Sequence, residues 1–442
     1  MTNILRKALL GGAALAVMTT GAAADELSTL KAQLAALQSQ VDSIQSAPAQ
    51  APAGSSMLRY ERGAGGNTWG LDAVKDSANA NEGGGFTIAV TPTADLPAPV
   101  AEVTVYGYVA GHVAYDFDEN HGVANSFSLD NLGNGSGDHI GITGKQSRFG
   151  IKSKIDTAIG QLRTQIEGDF TFPFDQNSGS TQFRLRHAVG HWDMTPNWTF
   201  SIGQWWMTAA LLPIGVSTVD FAGSLFTYSR AAQVRLSYSD GPLSWAVAIE
   251  EPTNYSYTNM PNIAGYLQYD IAGGHQFIVT GEVADWDEID KGGPIGNDEL
   301  GWAVQAGANF NLADVATLTG GVGYGEGLLE TKFAGVGMDA TDINGDPLET
   351  LAFLVGLSFG LSETTSFNAM FSYVEALGTQ DSVDDIETAY KVQANILWQP
   401  VKQMRMGWEV IWARSEFQTI GEDISKGSED GVRATFGTWF FF

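Results

Sequence analysis

The chain has 442 residues, with 50 acids against 23 bases and a formal charge of −27. That balance excludes a nucleic-acid partner, because phosphate binding needs a net basic footprint. The absence of cysteine excludes thiolate nucleophiles, cysteine-ligated zinc and disulfides. With 44% apolar and 11% aromatic residues and 53 glycines, the chain is too polar for helical membrane spans and too aromatic for a disordered one.

Residues 1–24 read as a secretory signal. Arg6 and Lys7 open it, an apolar run of eleven residues (8–18) follows, and Ala22, Ala23 and Ala24 offer a small-residue site with cleavage expected after Ala24. The run is well short of the roughly 20 residues of a spanning helix. Residues 25–45 carry Leu27, Leu30, Leu34, Leu37, Val41 and Ile44 at alternating spacings of three and four, which is the seam of a short coiled-coil helix. Three heptads are marginal as a free coiled coil, so the helix is expected to zip when a larger assembly brings copies together. The alternative is a single amphipathic helix packed on its own domain. Residues 46–101 form a linker and a stretch rich in Gly, Asn and Pro, with one candidate strand at 86–90.

From Val103 the period changes to two. Val103, Val105, Val109, Val113, Tyr115 and Phe117 share one face, and Thr104, His112 and Asp116 the other. The same alternation recurs in sixteen windows to the last residue, each about 9 to 13 residues long, the length of a tilted strand crossing a bilayer. Short links (156–159, 194–197, 241–242, 272–274, 311–315, 360–365, 399–403) interleave with long ones (118–145, 208–229, 286–299, 326–350, 414–430). The expected fold is therefore all-β, a sixteen-stranded antiparallel transmembrane β-barrel over 102–442 preceded by the coiled-coil helix. A soluble sandwich also alternates, but here the apolar face stays bulky to the end, as in Trp398, Trp408 and Trp412. The opposite face carries small polar residues such as Gln305, Gly307, Asn309 and Asn395. In hydrocarbon every backbone group must be paired internally, and a sheet achieves this only by closing.

The words KQSRFGIKSK (145–154), GQLRTQIEGDF (160–170) and FRLRHAVGHW (183–192), with a first strand VYGYVAGHVAYDFD, follow a signal segment, a leucine heptad helix and a Pro/Ala linker. This combination resembles the DcaP-like outer-membrane porins of proteobacteria. The resemblance implies a sixteen-stranded barrel, a homotrimer with a periplasmic N-terminal coiled coil, and passage of small anionic solutes such as dicarboxylates. Residues 59–101 depart from it.

The densest constellation is basic. Lys145, Arg148, Lys152, Lys154, Arg163, Arg184 and Arg186 lie within 42 residues, and strand parity puts all but Lys145 on the polar face, with Arg235 oriented likewise. On adjacent strands they form a ladder along one wall of a lumen, where they would concentrate anions. The plainer alternative is that these cations pair with Glu167, Asp169 and acids of an infolded loop. The loop 208–229 is long yet apolar, and Asp220 is its only charge. It is expected to fold into the lumen as the constriction, or else to pack under its neighbours or at a subunit contact. Acids crowd the other loops; the stretch 339–349 has oxygen ligands at calcium-like spacing without matching an EF-hand, so solvated charge competes with a divalent cation held there or bridging to lipopolysaccharide phosphates. No resident cofactor is expected. His187 and His191 are read as pointing outward with Phe183 and Leu185. The rival functions are an outer-membrane lipase or esterase, which needs a Ser/His pair at the membrane rim, and a non-conducting structural or adhesive barrel.

Overall fold

A computed structural model describes residues 56–61, 85–90, 101–133, 135–171, 181–210, 216–221, 229–252, 260–286, 289–290, 293–294, 299–312, 315–328, 342, 346–380, 382–420, 424–425 and 427–442. The signal segment, the heptad helix and most of 339–349 lie outside the described residues, as do positions 211–215 and 222–228 of the apolar loop.

The sheet opens with a hairpin, β1 (Ser56–Glu61) and β2 (Gly85–Val90), before the first wall strand β3 (Ala101–Phe117). Next come β4 (His139–Thr143), β5 (Arg148–Thr157), β6 (Gly160–Asp169), β7 (Arg184–Asp193), β8 (Trp198–Trp206), β9 (Arg230–Asp240) and β10 (Leu243–Glu250). β11 (Asn262–Ile271) and β12 (His275–Trp286) follow, then a loop ladder of β13 (Ile289–Asp290) with β14 (Gly293–Pro294). The wall continues with β15 (Glu299–Leu312), β16 (Ala316–Glu326), β17 (Glu349–Ser362), β18 (Thr365–Ala376), β19 (Ile386–Val401) and β20 (Met404–Phe417). A second loop ladder, β21 (Thr419–Ile420) with β22 (Ile424–Ser425), precedes β23 (Ser428–Phe441).

Wall neighbours pair antiparallel in chain order, and β23 returns to pair with β3 from Val432↔Phe117 to Phe441↔Tyr108, which closes the barrel. β4 and β5 share one lane beside β3, so the wall holds sixteen strand positions, as the alternation predicts. The lane is broken because residues 144–147 turn: Ser147 Oγ accepts from the Ala110 amide at 3.0 Å and donates to the Gly144 carbonyl at 2.8 Å, standing in for backbone partners. Periodicity does not reveal β4, which falls inside the expected loop 118–145, nor β1; the candidate strand at 86–90 is β2.

Bulky residues such as Val109, Ile142, Ile166, Val304, Trp408 and Val410 face outward and are exposed. Their polar alternates, Gln165, Gln305, Asn309, Asn395 and Thr435 among them, face inward and are buried. Outward aromatics cluster near both ends of the wall: Trp198 with Tyr238 and Trp245 at the short-turn end, Tyr373 with Tyr390 at the long-loop end. Two such girdles flanking an apolar band are the signature of an outer-membrane barrel.

Candidate functional site

The basic wall is built by β5, β6 and β7, and a β-bulge decides its geometry. Glu167 opposes His187 while Gly168 opposes Leu185, so Arg186 is an extra residue on β7. Arg184 and Arg186 both reach inward at the loop end, and the phase then changes. Arg186 donates from Nε to Glu167 Oε1 and from Nη1 to Asp169 Oδ2, each at 2.8 Å. Arg184 grips Asp169 with both ends of its fork, at 2.9 and 2.8 Å, and Arg148 Nη1 lies 3.4 Å from Glu167 Oε1. The Tyr106 hydroxyl donates to Glu167 Oε2 at 2.9 Å and receives Gln165 Nε2 at 2.7 Å. Three guanidiniums thus surround two carboxylates: Arg184 holds Asp169 in the bidentate geometry that orients arginine most firmly, and Arg186 bridges Asp169 to Glu167. Arg148, Arg184 and Arg186 stand on the inner wall with Glu167 and Asp169 among them.

Arg230 adds a further guanidinium. It stacks over the Trp206 ring at 4.8 Å, and Arg186 lies over the same ring at 5.5 Å. Arg230 Nη1 is buried without a hydrogen-bond partner. Alternation puts Arg230 on the outer face, which is why sequence reasoning misses it; as the first residue of β9 it instead follows Trp206, its cross-strand partner. Arg235 is buried over Trp205 at 4.6 Å and donates to the Trp206 carbonyl at 2.5 Å. Lys152 lies over Tyr106 at 5.6 Å, Lys154 is exposed near the turn end, and Lys145 is buried beside the break in the β4–β5 lane. Arg163 belongs to a separate turn-end pair with Asp193, at 2.6 and 2.8 Å.

Across the lumen the described parts of the segment 207–229 touch the far wall. The Ala209 carbonyl accepts from Thr280 Oγ1 and Gln305 Nε2 at 2.9 and 2.8 Å. Further along, Glu409 of β20 accepts the amides of Val219 and Asp220 at 3.1 and 2.7 Å, and Asn395 donates to both Ser217 O and Glu409 Oε2 at 2.8 Å. Asp220 accepts the Phe127 amide at 2.7 Å and has Lys391 Nζ of β19 at 3.5 Å.

Phe127 belongs to the first long loop, 118–138, which also enters the barrel. The Phe221 amide donates to the Asn125 carbonyl at 2.7 Å, joining the two loops. Phe127, Leu129 and Leu132 pack in one cluster with Ile411, Ala413 and Phe417. Behind them Arg433 chelates Asp116 at 2.5 and 2.9 Å and donates to the carbonyls of Gly122 and Val123 at 3.0 and 2.8 Å. Arg433, Asp116, Lys391 and Glu409 were legible as polar-face positions of their strands, but nothing local marks them as loop anchors.

The outward reading of His187 and His191 is corrected. Both are buried on the inner side, His187 edge-on to Trp206 at 5.2 Å and His191 edge-on to Trp205 at 4.8 Å. The bulge at Arg186 reverses parity for the rest of β7, which simple alternation from Phe183 cannot anticipate. His191 Nδ1 meets Ser201 Oγ at 2.8 Å. This Ser–His contact faces the lumen beneath Trp205, whereas a hydrolase acting on lipid needs it at the membrane rim.

Solved structures share this architecture. The outer-membrane channel DcaP of Acinetobacter baumannii superposes with a TM-score of 0.64 at 20% identity, covering 77% of this chain and 97% of its own. The fold is that of the outer-membrane porins. An anion-selective porin from Comamonas acidovorans matches with a TM-score of 0.55 at 15% identity, over 77% of this chain and 100% of its own. OmpT, an outer membrane protein of Vibrio cholerae, matches with a TM-score of 0.53 at 14% identity, over 77% and 98%. No family model and no curated protein matches the chain.

Proposed function

We propose that the chain is a trimeric outer-membrane diffusion porin that prefers small hydrophilic anions, dicarboxylates above all. The observation that carries this reading is the excess of inward cations at one place on the wall. Arg148, Arg184, Arg186 and Arg230 gather around Glu167 and Asp169, and Arg186 lies 5.7 Å from the ring of Phe221 in the segment that crosses the lumen. A passing anion meets guanidiniums already held in place, and two of them at strand spacing match two carboxylates. The chain's overall charge of −27 pulls the other way. Its acids lie mainly in outer loops, however, and at physiological ionic strength charges beyond about 8 Å from the path are screened. The similarity in fold to a porin described as anion-selective points in the same direction. The segment 207–229, bonded to the far wall through Ala209 and Glu409, serves as the constriction. A signal segment for export, a periplasmic helix and contact with lipopolysaccharide at the outer rim complete the reading.

The test is a planar-bilayer recording. In a salt gradient the reversal potential should have the sign of anion preference, and Arg184→Ala with Arg186→Ala should shift it toward cations, since Asp169 then loses both paired guanidiniums and Glu167 loses Arg186 while keeping Arg148. A folded protein that never conducts would favour a hydrolytic or adhesive barrel, and a cation-preferring channel indifferent to the double substitution would remove the basic wall from the mechanism.

A further inference from the structure

The closing seam of the barrel holds a feature that conduction does not use. β3 is longer than its closing partner: β23 covers Tyr108–Phe117, and the final residue exchanges backbone bonds with Gly107, at 3.3 and 3.1 Å. Residues 101–106 therefore extend past the part of β3 that β23 and Phe442 pair. On one side they pair with β5. On the other they would be an open edge, but β2 occupies it, from Phe86↔Val105 to Ala89↔Glu102. Both β2 and β23 run antiparallel to β3 on the same edge. The lane of the last strand is thus continued, end to end and in the same direction, by a strand from the far N-terminal side.

The fit is built, not incidental. Phe86 and Ile88 are exposed on the outer face like Val103, while Thr87 is buried with its hydroxyl 2.8 Å from that of Thr104. Gly85, where β2 abuts the C-terminus, has φ +139°, and a Cβ there would collide with the Val105 carbonyl. β1 then pairs along all six residues of β2.

We propose that the β1–β2 hairpin is a stop that fixes the register of barrel closure. Inside–outside patterning forbids a slip of one residue but tolerates a slip of two, which returns every side chain to its own face. Were β23 to slide two residues toward the N-terminal end of β3, Phe441 and Phe442 would lie opposite Tyr106 and Val105. The second of those places is held by Phe86. The hairpin blocks that movement by occupying the lane and at the same time covers an edge open to pairing with other chains.

The natural chain has no cysteine, so paired cysteines read the register directly in the full-length protein. Ala434→Cys with Tyr115→Cys reports the native pairing. Ala434→Cys with Val113→Cys reports the two-residue slip. With the hairpin intact, oxidation after refolding in detergent should cross-link only the first pair. In a Thr87→Pro, Ile88→Pro background the amides of residues 102–105 that point away from β5 should lose protection from exchange, and the second pair should begin to cross-link. Loss of protection with no cross-linking of the slipped pair would overturn the proposal, as would unchanged protection and cross-linking. If the proline variant does not fold, Gly85→Ala, which must push β2 away from Val105, goes through the same two pairs with the same criteria.

Discussion

Arg433 is a fully enclosed charge, and its contacts show how this lumen tolerates ions. Two carboxylate oxygens and two carbonyls take four of its five N–H donors, so the desolvation cost is largely met by geometry. Replacing it with Met should leave Asp116 enclosed without its bidentate partner and lower stability by about 3–5 kcal/mol, read as a fall in the unfolding midpoint in detergent. His121 is a second residue whose state is set by enclosure. It stacks on Phe127 at 4.7 Å, and burial first, then the charge of Arg433, holds its pKa below the ordinary value of 6.5, against opposing pulls from Asp116 and Glu119. A histidine with a lowered folded pKa is neutral in the packed loop, so packing is undisturbed above pH 6.5 and is opposed progressively as pH falls below it. The first loop should therefore loosen on acidification from pH 7 to about 5, seen as faster amide exchange over residues 119–132, and His121→Phe should flatten that response.

At the scale of elements, the barrel interior is organised by two loops and one carboxylate. Glu409 accepts the successive amides of Val219 and Asp220, and Asp220 passes the connection on to the first loop through the Phe127 amide. Glu409→Ala removes the acceptor for both amides and for Asn395, leaving buried donors that each cost about 1–3 kcal/mol when unsatisfied. The segment should detach from β20 while the wall stays intact. Single-channel conductance is expected to rise and become noisy, with unchanged heat stability of the barrel. A conductance identical to that of the natural chain would mean the segment does not limit the path. The bulge at Arg186 acts at the same scale, turning two consecutive side chains of β7 inward and thereby setting both the guanidinium cluster and the histidine placement.

For the whole molecule, closure through β23 and β3 satisfies the backbone of every wall strand, which is the condition for a sheet in hydrocarbon. Assembly is a separate matter, and the trimeric reading proposed above assigns it to the seam Leu27, Leu30, Leu34, Leu37, Val41 and Ile44, which lies outside the described residues. Leu34→Asp with Leu37→Asp places charges in that seam and should shift the oligomer toward monomer in detergent sizing, while each barrel remains folded. Natural chain that sizes as a monomer would refute the trimer.

Much of this molecule was written in the period of its side chains. Period two, sustained from Val103 to the C-terminus with links alternating in length, is a local property, and it specified the strand count, the antiparallel order and the polarity of each face. The basic cluster was legible for the same reason, because Arg148, Arg184 and Arg186 sit on polar-face positions close together in the chain. What alternation could not reach is whatever depends on contacts between distant segments. The pairing of Asp220 with Lys391 spans separate strands and loops, the entry of Phe127 into the lumen depends on Ile411, Ala413 and Phe417 far later in the chain, and Arg230 follows Trp206 against its own parity. The bulge is invisible to a count of two, since one added residue inverts every position after it. The hairpin at 56–90 has no strong periodicity of its own; its place exists only because β3 outruns β23, and that difference in length appears only once the barrel closes.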